Sequence, residues 1–83
     1  MSNVPPHGWK DVDRILRKFG WTFVPGRGKG SHRLYEKAGR PRPIIVPAEK
    51  TLARGTLLNI IKTSGIPLED YMRELAPRNR RAK

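Results

Sequence analysis

Three short runs of strand-forming residues, enclosed between helix-patterned segments, restrict this chain more than any other feature. Trp21-Thr22-Phe23-Val24 is aromatic and β-branched and stops at Pro25, Ser31 to Glu36 has strand composition, and Ile44-Ile45-Val46 is closed by Pro47. Glycines between residues 26 and 30, and the basic stretch Lys37-Ala38-Gly39-Arg40-Pro41-Arg42-Pro43, supply the turns. Strands joined so closely form an antiparallel meander, which buries a face only by packing helices over it.

The helices are written on both sides. Trp9, Val12, Ile15, Leu16 and Phe19 recur at helical spacing, with Lys10, Asp13, Arg14, Arg17 and Lys18 between them. Gly20 stands where a left-handed C-terminal cap belongs, and Arg17 and Lys18 complement the negative end of the helix dipole. After a connection from Ala48 to Arg54, Gly55-Thr56 opens a second helix with Thr56 as its cap and Leu57, Ile60 and Ile61 as its buried stripe; Gly65 ends it. Pro67 then suits the first position of a short third helix carrying Leu68, Tyr71, Met72 and Leu75, with Glu69 and Asp70 at its positive end and Pro77 stopping it. The expected fold is therefore α+β, a three-stranded antiparallel sheet packed on helices in the order α-β-β-β-α, with a short third C-terminal helix. Residues 1–8 read as an irregular lead-in with a solvated His7, 9–76 as one domain, and 77–83 as a basic tail.

Charge narrows the partners. With 18 Lys and Arg against 7 Asp and Glu, the net charge of +11 makes a polyanion the first partner to consider, nucleic acid before a membrane surface. The longest apolar runs are far too short to span a bilayer, and Met1-Ser2-Asn3-Val4-Pro5-Pro6 lacks the features of a secretory signal, so the expectation is a cytoplasmic protein with no membrane partner. Zero cysteines exclude disulfides and thiolate metal sites. Two separated histidines and scattered carboxylates form no metal-ligand pattern, and no small-molecule cofactor is expected. Asp11 and Asp13, two apart on a helix, read as a solvated face, and Trp9 and Trp21 as core.

The chemistry concentrates in Gly26-Arg27-Gly28-Lys29-Gly30-Ser31-His32-Arg33. The glycine spacing matches neither a P-loop nor a dinucleotide-binding turn. Glycines such as Gly28 and Gly30 still let another backbone approach closely, while Arg27, Lys29 and Arg33, with Ser31, suit a phosphodiester. His32 is of the one side-chain type that titrates near neutrality without help. RNA carries a 2′-hydroxyl beside each phosphodiester, so a base, an acid and cations on the phosphate suffice to cut it. A second proton carrier is not evident, because His7 is remote and Tyr35 has a high ordinary pKa. The same pattern also fits a plain surface loop with a surface or core histidine. Strand alternation puts Ser31, Arg33 and Tyr35 on one face and His32, Leu34 and Glu36 on the other; if Leu34 is core, His32 escapes burial only by lying at the strand entrance, beyond the helix layer.

These residues, in order, resemble the HicA toxin family. The likeness is carried by the helix ending in Gly20, Gly30-Ser31-His32 leading a strand, Ile45-Val46-Pro47, Leu52-Ala53-Arg54-Gly55-Thr56-Leu57, Ile60-Ile61-Lys62 and Gly65-Ile66, across roughly residues 9 to 75. The resemblance implies a core like a double-stranded RNA-binding domain, a ribosome-independent mRNA endoribonuclease, and neutralisation by a HicB antitoxin. It makes His32 the catalytic residue. Many members have a second histidine where this chain has Arg33, and another where it has Ala48. A noncatalytic RNA-binding module, or a protein acting chiefly in complex with an acidic antitoxin, are the competing readings.

Overall fold

The computed structural model describes residues 4–26 and 30–76, which form α1 (Trp9–Lys18), β1 (Thr22–Val24), β2 (His32–Lys37), β3 (Arg40–Pro47), α2 (Arg54–Ser64) and α3 (Leu68–Leu75). The sheet has the order β1-β2-β3 with both pairs antiparallel. Residues 1–3, residues 77–83 and, within the glycine loop, Arg27, Gly28 and Lys29 lie outside the described residues.

Register settles which side of the sheet is covered. Phe23 pairs with Tyr35 and Tyr35 with Ile44, while Arg33 pairs with Val46; paired residues share a face. Tyr35, Ile44 and Val46 are buried against Val12, Ile15 and Leu16 of α1 and Leu57, Ile60 and Ile61 of α2. The core is therefore on the Arg33–Tyr35 side. Thr22, Val24, His32, Leu34, Glu36, Ile45 and Pro47 share the opposite, open face. Leu34 is buried there because Val24 and Ile45 flank it across the ladder, and Ile45 itself is 51% exposed.

The first helix closes as its sequence predicts. The Trp21 amide donates to Leu16 and the Gly20 amide to Arg17, and Gly20 takes φ +96°, the left-handed geometry that this paired cap needs. α2 departs from expectation at its start. It begins at Arg54 after Ala53, so Thr56 lies within the first turn and its side chain caps nothing. β3 begins at Arg40, not Ile44, because only Ala38 and Gly39 are needed for the turn. Pro41 and Pro43 are tolerated because β3 is an edge strand, where a missing amide can point away from the ladder.

The lead-in is irregular, as expected, but it is not loose. Val4 is buried in the core, the Leu52 amide donates to the His7 carbonyl, and the Trp9 amide donates to Glu49. Gly8 makes this closeness possible: a Cβ there would lie 2.0 Å from the Lys50 carbonyl oxygen. The solvated reading of His7 is corrected. Its ring is buried, with Nδ1 2.9 Å from the Pro5 carbonyl and Nε2 2.8 Å from the Tyr71 hydroxyl. The neutral tautomer that satisfies both donates from Nδ1 and accepts from Tyr71. Burial, with the charge of Asp11, pushes the Tyr71 hydroxyl well above its ordinary pKa, so it stays a donor.

Candidate functional site

His32 opens the central strand β2 opposite Pro47 and is exposed. Its exposure has a different cause from the one the strand pattern suggests: among the described residues the helices pack on the Tyr35 side of the sheet, and the face His32 shares with Leu34 carries none. Backbone contacts hold the strand entrance. The Ser31 carbonyl accepts from the Ala48 amide at 2.7 Å, joining the loop exit to the end of β3, and Gly30 before it has φ +54°. Ser31, just before the strand, and His32, its first residue on the open face, are both exposed.

Arg33 goes the other way. Alternation turns it towards α1, where its guanidinium lies 4.4 Å from the Trp9 ring centre and 3.9 Å from that of Phe23. Its Nε donates to the Tyr35 hydroxyl at 3.0 Å, and its Nη2 is 3.4 Å from Asp13 Oδ1. Tyr35 in turn donates to Asp13 at 2.5 Å, and Arg17 donates to the same carboxylate from one helical turn away. The sequence reading makes Arg33 a phosphate-binding cation beside His32; the structure places it on the face opposite His32. Here it is a packed anchor between sheet and helix.

Asp13 is likewise no merely solvated residue. Burial acts to raise its pKa, but hydrogen bonds from Tyr35 and Arg17 and the charges of Arg17 and Arg33 outweigh it, holding the carboxyl below its ordinary range. Burial first, and then the neighbouring Asp13, push the Tyr35 hydroxyl to about 12 despite the opposing Arg33. This phenol is a structural donor on the covered face. It is not positioned to serve His32, and neither is His7, which is packed against Tyr71.

Gly30, Ser31 and His32 are thus consecutive and all exposed at the strand entrance, Arg33 turns to the opposite face, and Arg27, Gly28 and Lys29 lie outside the described residues. Asp13 and Tyr35 were missed as anchors of this region. The available signal was the alternation itself, which places Arg33 and Tyr35 on one face; an arginine on a covered face needs a carboxylate, and α1 supplies one at the facing turn. Among the described residues no group of three His, Asp or Glu side chains converges, and no helix is long and apolar enough to cross a membrane.

Fold and site define a small, strongly basic α+β domain that displays a glycine-led histidine at the entrance of its central strand, on the uncovered side of the sheet. Residues 9–66, more than half of the chain, match the family described as the HicA toxin of bacterial toxin-antitoxin. The chain belongs to the HicA toxin family and is a toxin of that class. Comparison with curated proteins finds no match. The family match ends at Ile66, so α3, which the toxin uses to bury Tyr71 against His7, follows the matched region.

Proposed function

We propose that this toxin is an endoribonuclease that cuts mRNA without the ribosome and without a metal ion, with His32 as its catalytic proton carrier, and that a HicB-like antitoxin neutralises it. The observation that carries the reading is the exposed His32 beside Ser31 at the mouth of the basic glycine loop, in a chain of the HicA toxin family.

In the proposed reaction the imidazole removes the proton of a ribose 2′-hydroxyl, whose oxygen attacks the adjacent phosphorus; the bond to the 5′-oxygen breaks, that oxygen takes a proton from solvent water, and the imidazolium returns its proton to solvent. A positioned acid or base of this kind contributes about 10²- to 10⁴-fold to rate. Arg27 and Lys29 neutralise the pentacoordinate phosphate, Ser31 hydrogen-bonds it, and Gly28 and Gly30 allow the RNA backbone to approach. Arg33 acts indirectly, by anchoring the strand from which His32 projects. The antitoxin would block the open face at His32 with groups that complement Arg27 and Lys29.

One observation favours a second reading, a noncatalytic RNA-binding module: both other proton-carrying candidates are engaged inside the fold, Tyr35 with Asp13 and His7 with Tyr71. Incubating RNA with purified wild type and His32→Ala in EDTA decides between them. Cutting by wild type alone supports the nuclease; salt-sensitive binding of RNA that stays intact supports the module.

A further inference from the structure

The charges of this protein are divided by element. Asp11 and Asp13 lie on α1 and Glu69, Asp70 and Glu74 on α3; of these Asp11, Asp13, Asp70 and Glu74 pair with Arg14, Arg17, Lys18, Arg33 and Arg73. β3 and α2 contain no Asp or Glu, yet carry Arg40, Arg42, Arg54 and Lys62, all exposed. Among the described residues no carboxylate pairs with Arg42 or Lys62.

Three of these cations border one groove. Arg40, Arg42 and Lys62 line it together with Asn59 and Thr63 of α2, and it continues along β3 past Ile44. Arg40 is held in place by donating from Nη2 to the Thr63 carbonyl at 2.9 Å. Arg42 and Lys62 project beside it, and Asn59 adds an amide that can donate to an anionic oxygen. The free edge of β3 is a poor template for a protein strand, since Pro41 and Pro43 have no amide hydrogen to offer. Cations without carboxylates, amide donors and a strand edge short of donors together suit a phosphate backbone better than a polypeptide.

We propose that the β3–α2 groove is a second RNA-backbone site, built on Arg42 and Lys62, which holds the strand at a distance from His32. The proposal rests on the ribonuclease reading for the identity of its polyanion. Arg42 lies five positions before Pro47, the partner of His32; at ~3.3 Å per strand residue the two are about 17 Å apart along β3, and because the offset is odd they face opposite sides of the sheet, so RNA passes from one site to the other around the free edge of β3. An RNA that occupies both sites must span more than this distance. The groove would therefore favour long RNA over short fragments.

The test is binding of a labelled single-stranded RNA, long enough to span both sites, by His32→Ala protein with and without Arg42→Ala plus Lys62→Ala, across a salt series. Both substitutions are at exposed positions, and unchanged melting curves would verify folding. Loss of two phosphate contacts is expected to weaken binding about tenfold or more and to make the logarithmic salt slope shallower by about 1.4. Equal affinity and slope would overturn the proposal, as would unchanged RNA binding accompanied by loss of an acidic protein partner, which would assign the groove to that partner. The nuclease reading fails separately: if His32→Ala cuts RNA as fast as wild type, the reading falls while the binding result still judges the groove.

Discussion

His32 and Arg33 are adjacent in sequence but leave β2 on opposite faces, His32 into the open and Arg33 into the Asp13 carboxylate at 3.4 Å. The chain therefore puts the proposed chemistry on one side of the central strand and its support on the other. Weakening the support should loosen the strand entrance without touching any residue that meets RNA.

Asp13→Asn tests that support through pH. The folded carboxyl titrates below its ordinary value, so it binds fewer protons than the unfolded chain, and its contribution to stability is present above the unfolded pKa of about 3.9 and is lost as pH falls through the lower, folded value. Thermal unfolding near neutrality should show the variant less stable by about 1–2 kcal/mol. The gap between the two proteins should close in strong acid. A gap independent of pH would contradict the proposed electrostatic role.

Gly8→Ala should be among the most damaging small substitutions, because the new methyl group would meet backbone, the Lys50 carbonyl at 2.0 Å, which no side-chain rotation can relieve. Relief requires parting the lead-in from residues 49–52 and breaking the Trp9 to Glu49 and Leu52 to His7 hydrogen bonds. The expected loss is about 2–3 kcal/mol, or a fall in melting temperature of about 10 °C or more. An unchanged melting temperature would mean that this packing is not what holds the lead-in.

His7→Ala separates a structural histidine from the proposed catalytic one. It leaves the Tyr71 hydroxyl buried without its partner and should cost about 1–3 kcal/mol. RNA cleavage per folded molecule should remain at the wild-type level. A large loss of cleavage in protein shown to be folded would bring His7 into the mechanism.

Much of this architecture was legible because it is periodic. Val12, Ile15 and Leu16 at helical spacing, with Gly20 beyond them, defined α1 and its end, and the three strand runs defined the sheet order. What escaped required knowing a neighbour from another part of the chain. Pro41 and Pro43 looked like turn residues because their tolerance depends on β3 being at an edge. His7 looked solvated because its partner, Tyr71, is 64 residues away. Leu34 made the faces ambiguous, since an apolar residue flanked by Val24 and Ile45 is shielded even without a helix above it. His32 was visible as a residue type in a suggestive loop; that it stands on an uncovered sheet face could be learned only from the register.

The most direct measurement is the rate at which purified wild type and His32→Ala cut a labelled RNA in EDTA, with the enzyme in excess so that chemistry is read in a single turnover. Wild type should cut the RNA and the variant should be slower by about 10²- to 10⁴-fold, with RNA binding and melting temperature retained. Equal cleavage by the two proteins, or none by wild type that binds RNA, would contradict a catalytic His32.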